Sequence, residues 1–240
     1  MELNHLLHYK NLKIFQGDKT LRFSLDSVLL SHFVTIQYRT KKVLDIGTGN
    51  APIPLILSTK TAASIVGIEL LKESSFLATK SVSYNGLESQ IKIIEGDVKE
   101  WYKNQESDIF DVITCNPPFF KVDKNSYTNQ YEEKAIARHE KTFTLEDLFL
   151  ISKKLLRNNG RVAVVHRPER FVEIIECMKK NNIEPKKVCF VYPYKGKKSN
   201  ILLIEGSKNG KPGLEVLEPI YIYEDGTYTK QLLKYFGEEL

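Results

Sequence analysis

The chain has 240 residues, 42% hydrophobic and 27% charged, with a net charge of +5. That length suits one large domain with a full core, and the composition argues against a disordered chain. The mild basic excess permits a polyanionic partner without requiring one. Cys115, Cys177 and Cys189 are far apart and outside any CxxC, so neither a disulfide framework nor a zinc knuckle is implied. The opening MELNHLLHYKNLKIF lacks the basic start and long apolar run of a secretory signal, and no apolar run reaches membrane-spanning length. The expectation is a cytoplasmic protein without a membrane partner.

In chain order, Leu12–Phe15 and Thr20–Phe23 read as extended pieces around Gln16-Gly17-Asp18-Lys19, the pattern of a hairpin. Ser24 suits a helix N-cap, with Leu25, Val28, Leu29, His32 and Phe33 at helical spacing and Asp26 in the first turn. This segment reads first as a structural edge. Its alternative has Arg22, Phe23, Ser24 and Asp26 lining a pocket.

Val43–Ile46 is a short buried strand, Gly47-Thr48-Gly49-Asn50-Ala51 a tight turn, and Pro52 fits the first turn of a helix. Strand, glycine turn and helix start form the nucleotide-binding layout at the carboxyl edge of an open α/β sheet. Two features depart from a dinucleotide site. Pro52 replaces the third glycine, and Asp45 lies inside the strand, where it would repel a pyrophosphate but not a cationic sulfonium cofactor with an amino-acid tail. Ala62–Ile68 is a second strand ending in Glu69, about 20 residues past the glycine turn, the offset of an acid that bonds ribose hydroxyls; a surface glutamate is the plainer reading. Leu70–Tyr84 is an amphipathic helix closed by Asn85-Gly86. After a third strand, Ile91–Ile94, Asp97 is placed to accept from an adenine amino group, and Trp101 and Tyr102 cap a core.

The fourth strand, within DVITC, stops at Asn116-Pro117-Pro118-Phe119. Two prolines bring carbonyl acceptors and no N–H, and a residue before proline is held extended. An amide oxygen, a proline carbonyl and an aromatic face side by side can accept both hydrogens of an amino group and stack on its planar carrier. A rigid turn is the bland alternative. Residues 121–141 form a long polar stretch with Lys121, Lys124, Arg138 and His139 among Tyr127 and Tyr131, suited to nucleic acid or simply to solvent. His139 has no second histidine at ligand spacing, so no metal is expected.

Thr144 and Asp147 make a capping box for a helix with Leu145, Leu148, Phe149, Leu155 and Leu156 on its apolar stripe, ended by Asn158-Asn159-Gly160. Arg161–Val165 is strand five, and Pro168–Asn181 a further helix. Val188–Tyr192 and Ile201–Glu205 are late strands joined by PYKGKKSN. That joint, with Tyr194, Lys195, Lys197 and Lys198, is the best RNA-contact candidate, against a solvated turn. The tail adds a short strand, an Asp225-Gly226 turn and a terminal helix. Strands alternating with helices, then a late strand pair, imply a doubly wound, seven-stranded, Rossmann-like α/β sheet with an antiparallel edge hairpin. One domain over 1–240, with 1–40 as a packed extension, is expected. The glycine turn, Glu69, Asp97 and Asn116–Phe119 would all fall at carboxyl strand ends, where such sheets bind ligands.

With DIGTGN as glycine motif and NPPF as catalytic tetrapeptide, the chain resembles the class I S-adenosylmethionine-dependent methyltransferases that modify amino groups. More closely it resembles the bacterial family that methylates an adenine beside the anticodon of a valine tRNA, through RFSLDSVLL, AIARHE, VVHRPER and LLIEGSKNGKPGL as well. The resemblance implies S-adenosyl-L-methionine as cofactor and tRNA as partner. It implies Asp45, Gly47 and Gly49 at the methionine part, Glu69 at the ribose, Asp97 at the adenine, and Asn116, Pro117, Pro118 and Phe119 at the reacting amino group, with Asn116 also among the cofactor-binding residues. Arg22, Lys121 and Arg138 join the lysine-rich joint as RNA-contact candidates. The family often has tyrosine where Phe119 stands, so no hydroxyl acts there. NPP(Y/F) also occurs in DNA-adenine, rRNA and protein-glutamine methyltransferases, and a non-catalytic RNA-binding module is a further alternative. The DNA enzymes usually append a recognition domain and the glutamine enzymes carry a helical domain before strand one, for which about 40 residues are too few.

Overall fold

The computed structural model describes residues 1–7, 9, 12–17, 24–117 and 143–238. One sheet organises them, in the order β10-β8-β9-β7-β6-β3-β4-β5, with β11 also on β8. Its seven long strands are β3 (Lys42–Ile46), β4 (Ser64–Glu69), β5 (Ile91–Glu95), β6 (Phe110–Cys115), β7 (Leu156–His166), β8 (Ile183–Tyr192) and β9 (Ile201–Lys208). The two-residue strands β10 (Glu215–Val216) and β11 (Ile220–Tyr221) extend the edge, both parallel to β8. Strands β5, β4, β3, β6 and β7 are mutually parallel. Only β9 runs against them, between β7 and β8. The expected seven-stranded sheet with its late antiparallel pair is therefore present.

Alternate strand residues serve opposite faces, as the pleat requires. Val43 and Val112 join one core with α1 (Leu25–Phe33) and α2 (Pro52–Ser58), reached also by Val82 of α3 (Lys72–Tyr84) and Leu232 of α7 (Lys230–Tyr235). Leu44 and Ile113 join the other, with α4 (Val98–Trp101), α5 (Leu145–Leu155) and α6 (Phe171–Lys180). Trp101 and Tyr102 pack against this second core as expected. A fully buried leucine such as Leu44 contributes about 2 kcal/mol by leaving water.

The amino-terminal residues pair β2 (Lys13–Gln16) with β1 (Glu2–His5), and Leu6 and Ile14 are both fully buried; the expected partner Thr20–Phe23 lies outside the described residues. Two local expectations are corrected. Asn158-Asn159-Gly160 does not end the preceding helix. That helix stops at Leu155, and Leu156 already starts β7. Phe110 pairs with Leu156 and Val112 with Arg161, so three surplus residues bulge from β7. Asn159 takes the left-handed backbone (φ 62°) that the bulge needs. Strand β8 begins at Ile183, five residues early, because Pro185 sits at an irregularity that spares it a ladder bond.

Helix α1 crosses the first face from the carboxyl to the amino edge of the parallel strands. At its far end Glu205, fully buried, accepts from Thr35 N at 2.7 Å and pairs with Arg161 at 2.6 Å. Lys187 donates to Phe33 O and Thr35 Oγ1 at 2.5 and 2.8 Å. In its last turn His32 stacks on Tyr235 at 4.3 Å and bonds Tyr9 Oη, whose hydroxyl donates to Tyr235 O. Burial, with Lys60 nearby, pushes His32 down to about 4, so this clasp holds a neutral ring at neutral pH. Among the described residues no helix is long and apolar enough to cross a membrane.

Candidate active site

Parallel strands leave their carboxyl ends along one edge, and the chemistry-bearing residues gather there. After β3 the chain turns through Gly47 (φ 68°), Gly49 (φ 58°) and Ala51 (φ 71°) before α2 starts at Pro52. Positive φ at the two glycines costs them little. A Cβ placed on either would meet no atom of the described residues within 4 Å, so among these the turn borders open space. Gly47 N and Thr48 N both donate to Ile68 O, at 2.9 and 3.1 Å, tying the turn to β4. Gly67 lies close beneath it: a Cβ there would come within 2.8 Å of Thr48 Oγ1.

Asp45 is 1% exposed. Its two oxygens accept from Thr48 Oγ1 and Thr114 Oγ1, each at 2.7 Å. Burial pushes its carboxyl up to about 7, against the pull of both hydroxyls and with a further push from the charge of Glu69. Asp45 therefore braces the glycine turn from below through Thr48. Glu69, 5% exposed, accepts from Gly49 N at 2.8 Å through Oε2 and from Leu71 N at 2.9 Å through Oε1. A carboxylate has about four lone-pair sites, so two remain for a ligand's hydroxyls. Gly96 N donates to Glu69 O at 2.8 Å, which draws the end of β5 alongside. Asp97 then caps α4, accepting from Lys99 N at 2.8 Å through Oδ1.

Asn116 follows the last residue of β6, half-buried like Pro117. Its Nδ2 donates to Ser27 Oγ of α1 at 2.9 Å. That bond spends the amide's donor end and leaves Oδ1 as acceptor among the described residues. Beside Ser27, Asp26 is pushed up by burial, against the attraction of Arg167 just past β7. The last residue of β7, His166, is pushed down to about 4 by burial and by Arg170. The amino-terminal segment also reaches the site, since Asn50 Nδ2 donates to Phe15 O at 2.9 Å.

The structure thus gathers Asp45, Gly47, Gly49, Glu69, Asp97, Asn116 and Pro117 at one sheet edge. Pro118, Phe119, Arg22, Lys121 and Arg138 lie outside the described residues. Tyr194, Lys195, Lys197 and Lys198 form an exposed turn between β8 and β9. Ser27, Thr48 and Thr114 were missed as site residues. Thr48 lies within the glycine turn itself, and Thr114 is flagged only by register, since β6 sets it opposite Asp45. Nothing local in the sequence pairs Ser27 with Asn116.

The family described as Methyltransferase small domain matches residues 24–181. The chain is 26% identical over 228 residues to the tRNA1(Val) (adenine(37)-N6)-methyltransferase of Photobacterium profundum, covering 94% of this chain and 93% of that one. It is 29% identical over 164 residues to the protein of the same name in Bacteroides thetaiotaomicron, covering 68% and 66%. Among solved structures, a predicted O-methyltransferase from Agrobacterium tumefaciens superposes with a TM-score of 0.70 at 17% identity, over 88% of this chain and 95% of that one. A precorrin-6y C5,15-methyltransferase from Geobacter metallireducens gives 0.57 at 11% identity, over 84% and 97%. These two show the fold alone.

Proposed function

Because the chain belongs to the methyltransferase small-domain family, we propose that it transfers a methyl group from S-adenosyl-L-methionine to the exocyclic amino group of an adenine in tRNA. The favoured target is the adenine 3′ of the anticodon in a valine tRNA, the activity that its curated relatives are named for. The observation that carries the chemistry is the bond from Asn116 Nδ2 to Ser27 Oγ, which presents Oδ1 as a fixed acceptor. A tRNA substrate implies a cytoplasmic site of action.

The residues present suit the cofactor. Among the described residues the glycine turn borders open space and is backed by buried acids, with no side chain against either glycine. S-adenosylmethionine supplies a methyl group carried on a positively charged sulfur. Gly47 and Gly49 would cradle the amino-acid part, Glu69 would accept from ribose hydroxyls, and Asp97 would accept from the adenine through the oxygen that does not cap α4. Asn116 Oδ1 and the Pro117 carbonyl would take the two N–H bonds of the target amino group. An arylamine lone pair is delocalised into its ring; two acceptors in these positions draw the nitrogen toward tetrahedral geometry and stabilise its growing positive charge. Pro117 and Pro118 bring no N–H to compete. Phe119 would stack on the flipped base. Holding both partners in line supplies most of the acceleration.

The buried acid adds a pH signature. The folded chain keeps the Asp45 proton up to about pH 7, whereas an ordinary aspartate has a value of 3.8. The folded state therefore binds more protons between those values, and the stability of the unliganded chain falls as pH rises through that window. A cationic ligand beside Asp45 favours its ionised form, so cofactor binding near pH 6.5 should release protons. Calorimetry in phosphate and in Tris then gives different binding enthalpies, and Asp45→Asn abolishes the difference. Equal enthalpies in both buffers for the unmodified protein would rule this coupling out.

The function is tested with tRNA from a strain lacking this protein, incubated with the enzyme and labelled cofactor and digested for nucleoside mass spectrometry. N6-methyladenosine in the valine tRNA is the expected product. Valine tRNA left without N6-methyladenosine, while total protein or DNA offered in parallel takes up label, would overturn the reading.

A further inference from the structure

The chain reverses after β8 through the exposed turn Tyr194–Lys198, and an aromatic ladder stands beside that turn. Tyr194 stacks on Tyr223 with ring centroids 5.2 Å apart, and Tyr223 on Tyr228 at 5.1 Å. Phe236 closes the row, edge-on to Tyr228 at 5.1 Å. The backbone builds the row deliberately: β12 (Tyr223–Glu224) and β13 (Thr227–Tyr228) form a small hairpin with Tyr223 opposite Tyr228. Gly226, at φ 80°, closes its turn. Tyr223 N donates to Pro193 O at 3.0 Å, locking the hairpin to the lysine-rich turn.

Stacking alone would make a packed cap. Yet Tyr194 is 41% and Tyr228 43% exposed, so the row keeps ring surface in water. Exposed lysines flank its rings along the chain: Lys195, Lys197, Lys198, Lys230 and Lys234, against Glu224 and Asp225 at the hairpin tip. Tyr223 is covered on both faces by its neighbours, so the ring surface open to a base is that of Tyr194 and Tyr228. Exposed rings within a cationic field suit unpaired bases joined by phosphates, since every base has a π-face and every link a negative charge.

Topology sets this surface on the same side as the candidate active site. Strand β9 opposes both β7 and β8, so β8 runs with β7 and delivers its turn to the carboxyl edge. From β6, which carries Asn116, to β8 is three strand spacings, about 14 Å. Two ties hold the intervening ground. Arg167 Nη1 donates to Asn200 O at 2.8 Å, and Tyr235 of α7 stacks on His32 of α1, the helix whose Ser27 holds Asn116.

We propose that Tyr194 and Tyr228, backed by Tyr223 and Phe236 and flanked by the lysines, form a stacking platform for unpaired nucleotides of the RNA substrate flanking the base delivered to Asn116. This rests on the tRNA reading and extends it: a loop would be gripped by its neighbouring bases while one base is turned into the site.

The test measures binding of unmodified valine tRNA at fixed salt, with cofactor affinity and thermal unfolding alongside. Tyr194→Ala and Tyr228→Ala should each weaken tRNA binding about 5- to 100-fold, the loss expected for one base stack. Cofactor affinity should not change. Tyr194→Leu, which keeps apolar packing but no ring face, should show the same loss, and Tyr194→Phe should restore binding. Alanine and leucine variants that bind tRNA like the unmodified protein would overturn the platform, with the tRNA reading intact. A loss in Tyr194→Ala that Tyr194→Leu restores would also overturn it, as a packing effect. An unmodified protein that neither binds nor methylates tRNA would overturn the function itself, and the platform with it.

Discussion

Asn116→Ala should lower kcat for methyl transfer about 100- to 1,000-fold, the range seen when one fixed group facing developing charge is removed, and leave cofactor affinity within a fewfold of normal. The residue follows β6 in register with Gly47 on the neighbouring strand, but its amide bonds Ser27 of α1 and not the glycine turn. Alanine removes the Oδ1 acceptor without touching the bonds that Glu69 and Asp45 make to the turn. The two contributions therefore separate, transfer falling while binding survives. Ser27→Ala sharpens the point. It keeps every atom of Asn116 but frees the amide to rotate and present Nδ2, a donor, to the substrate amino group. Its kcat should fall less than in Asn116→Ala, by about tenfold if the misoriented amide costs about 1.4 kcal/mol. Single-turnover rates with saturating cofactor measure both, and near-normal turnover of Asn116→Ala would remove the residue from the reaction.

Glu69→Ala should weaken S-adenosylmethionine binding about 100-fold or more and lower the melting temperature as well. Two backbone donors, Gly49 N and Leu71 N, lose their acceptor at once. Hydrogen bonds to a charged group contribute about 1.5–3 kcal/mol each, and a buried donor left unpaired adds its own penalty. Part of that cost appears as instability and part as a glycine turn no longer held open for the ligand. Glu69→Gln separates the parts. It retains one oxygen for Gly49 or Leu71 but sets an NH2 against the other N–H, so its affinity should lie between the two. Calorimetric titration of the three proteins checks the order. Affinity within twofold of normal in Glu69→Ala would mean that the carboxylate only braces the backbone and touches no ligand.

Much of the sheet was legible because buried parallel strands are short apolar runs between strong punctuation. Val43–Ile46 before Gly47, and Ile91–Ile94 after Asn85-Gly86, could be read from neighbours in sequence. Where punctuation misled, the cause was tertiary. Asn158-Asn159-Gly160 has the composition of a helix stop, yet the pairing of β7 with β6 carries the strand through it as a bulge. Nothing in the sequence flagged Glu2–His5 as a strand, and it pairs with Lys13–Gln16 where Leu6 and Ile14 are buried.

The site divides in the same way. The residue types in D-x-G-x-G and N-P-P-F, and their place after strands, were determined by the sequence alone, because glycine φ, proline's missing N–H and strand period act within a few residues. The tertiary structure decided what each group is free to do. It buried Asp45 between Thr48 and Thr114, so that it braces the turn and holds its proton to about pH 7. It set Glu69 beneath Gly49. It brought Ser27 onto Asn116 across 89 positions of chain, leaving one end of an amide as acceptor. It also aligned Tyr194 with Tyr223 and Tyr228, which no local pattern joins. Hydrogen-bond orientation, burial and stacking between distant segments depend on which surfaces the packed sheet and helices press together, and that is settled only when the whole core closes.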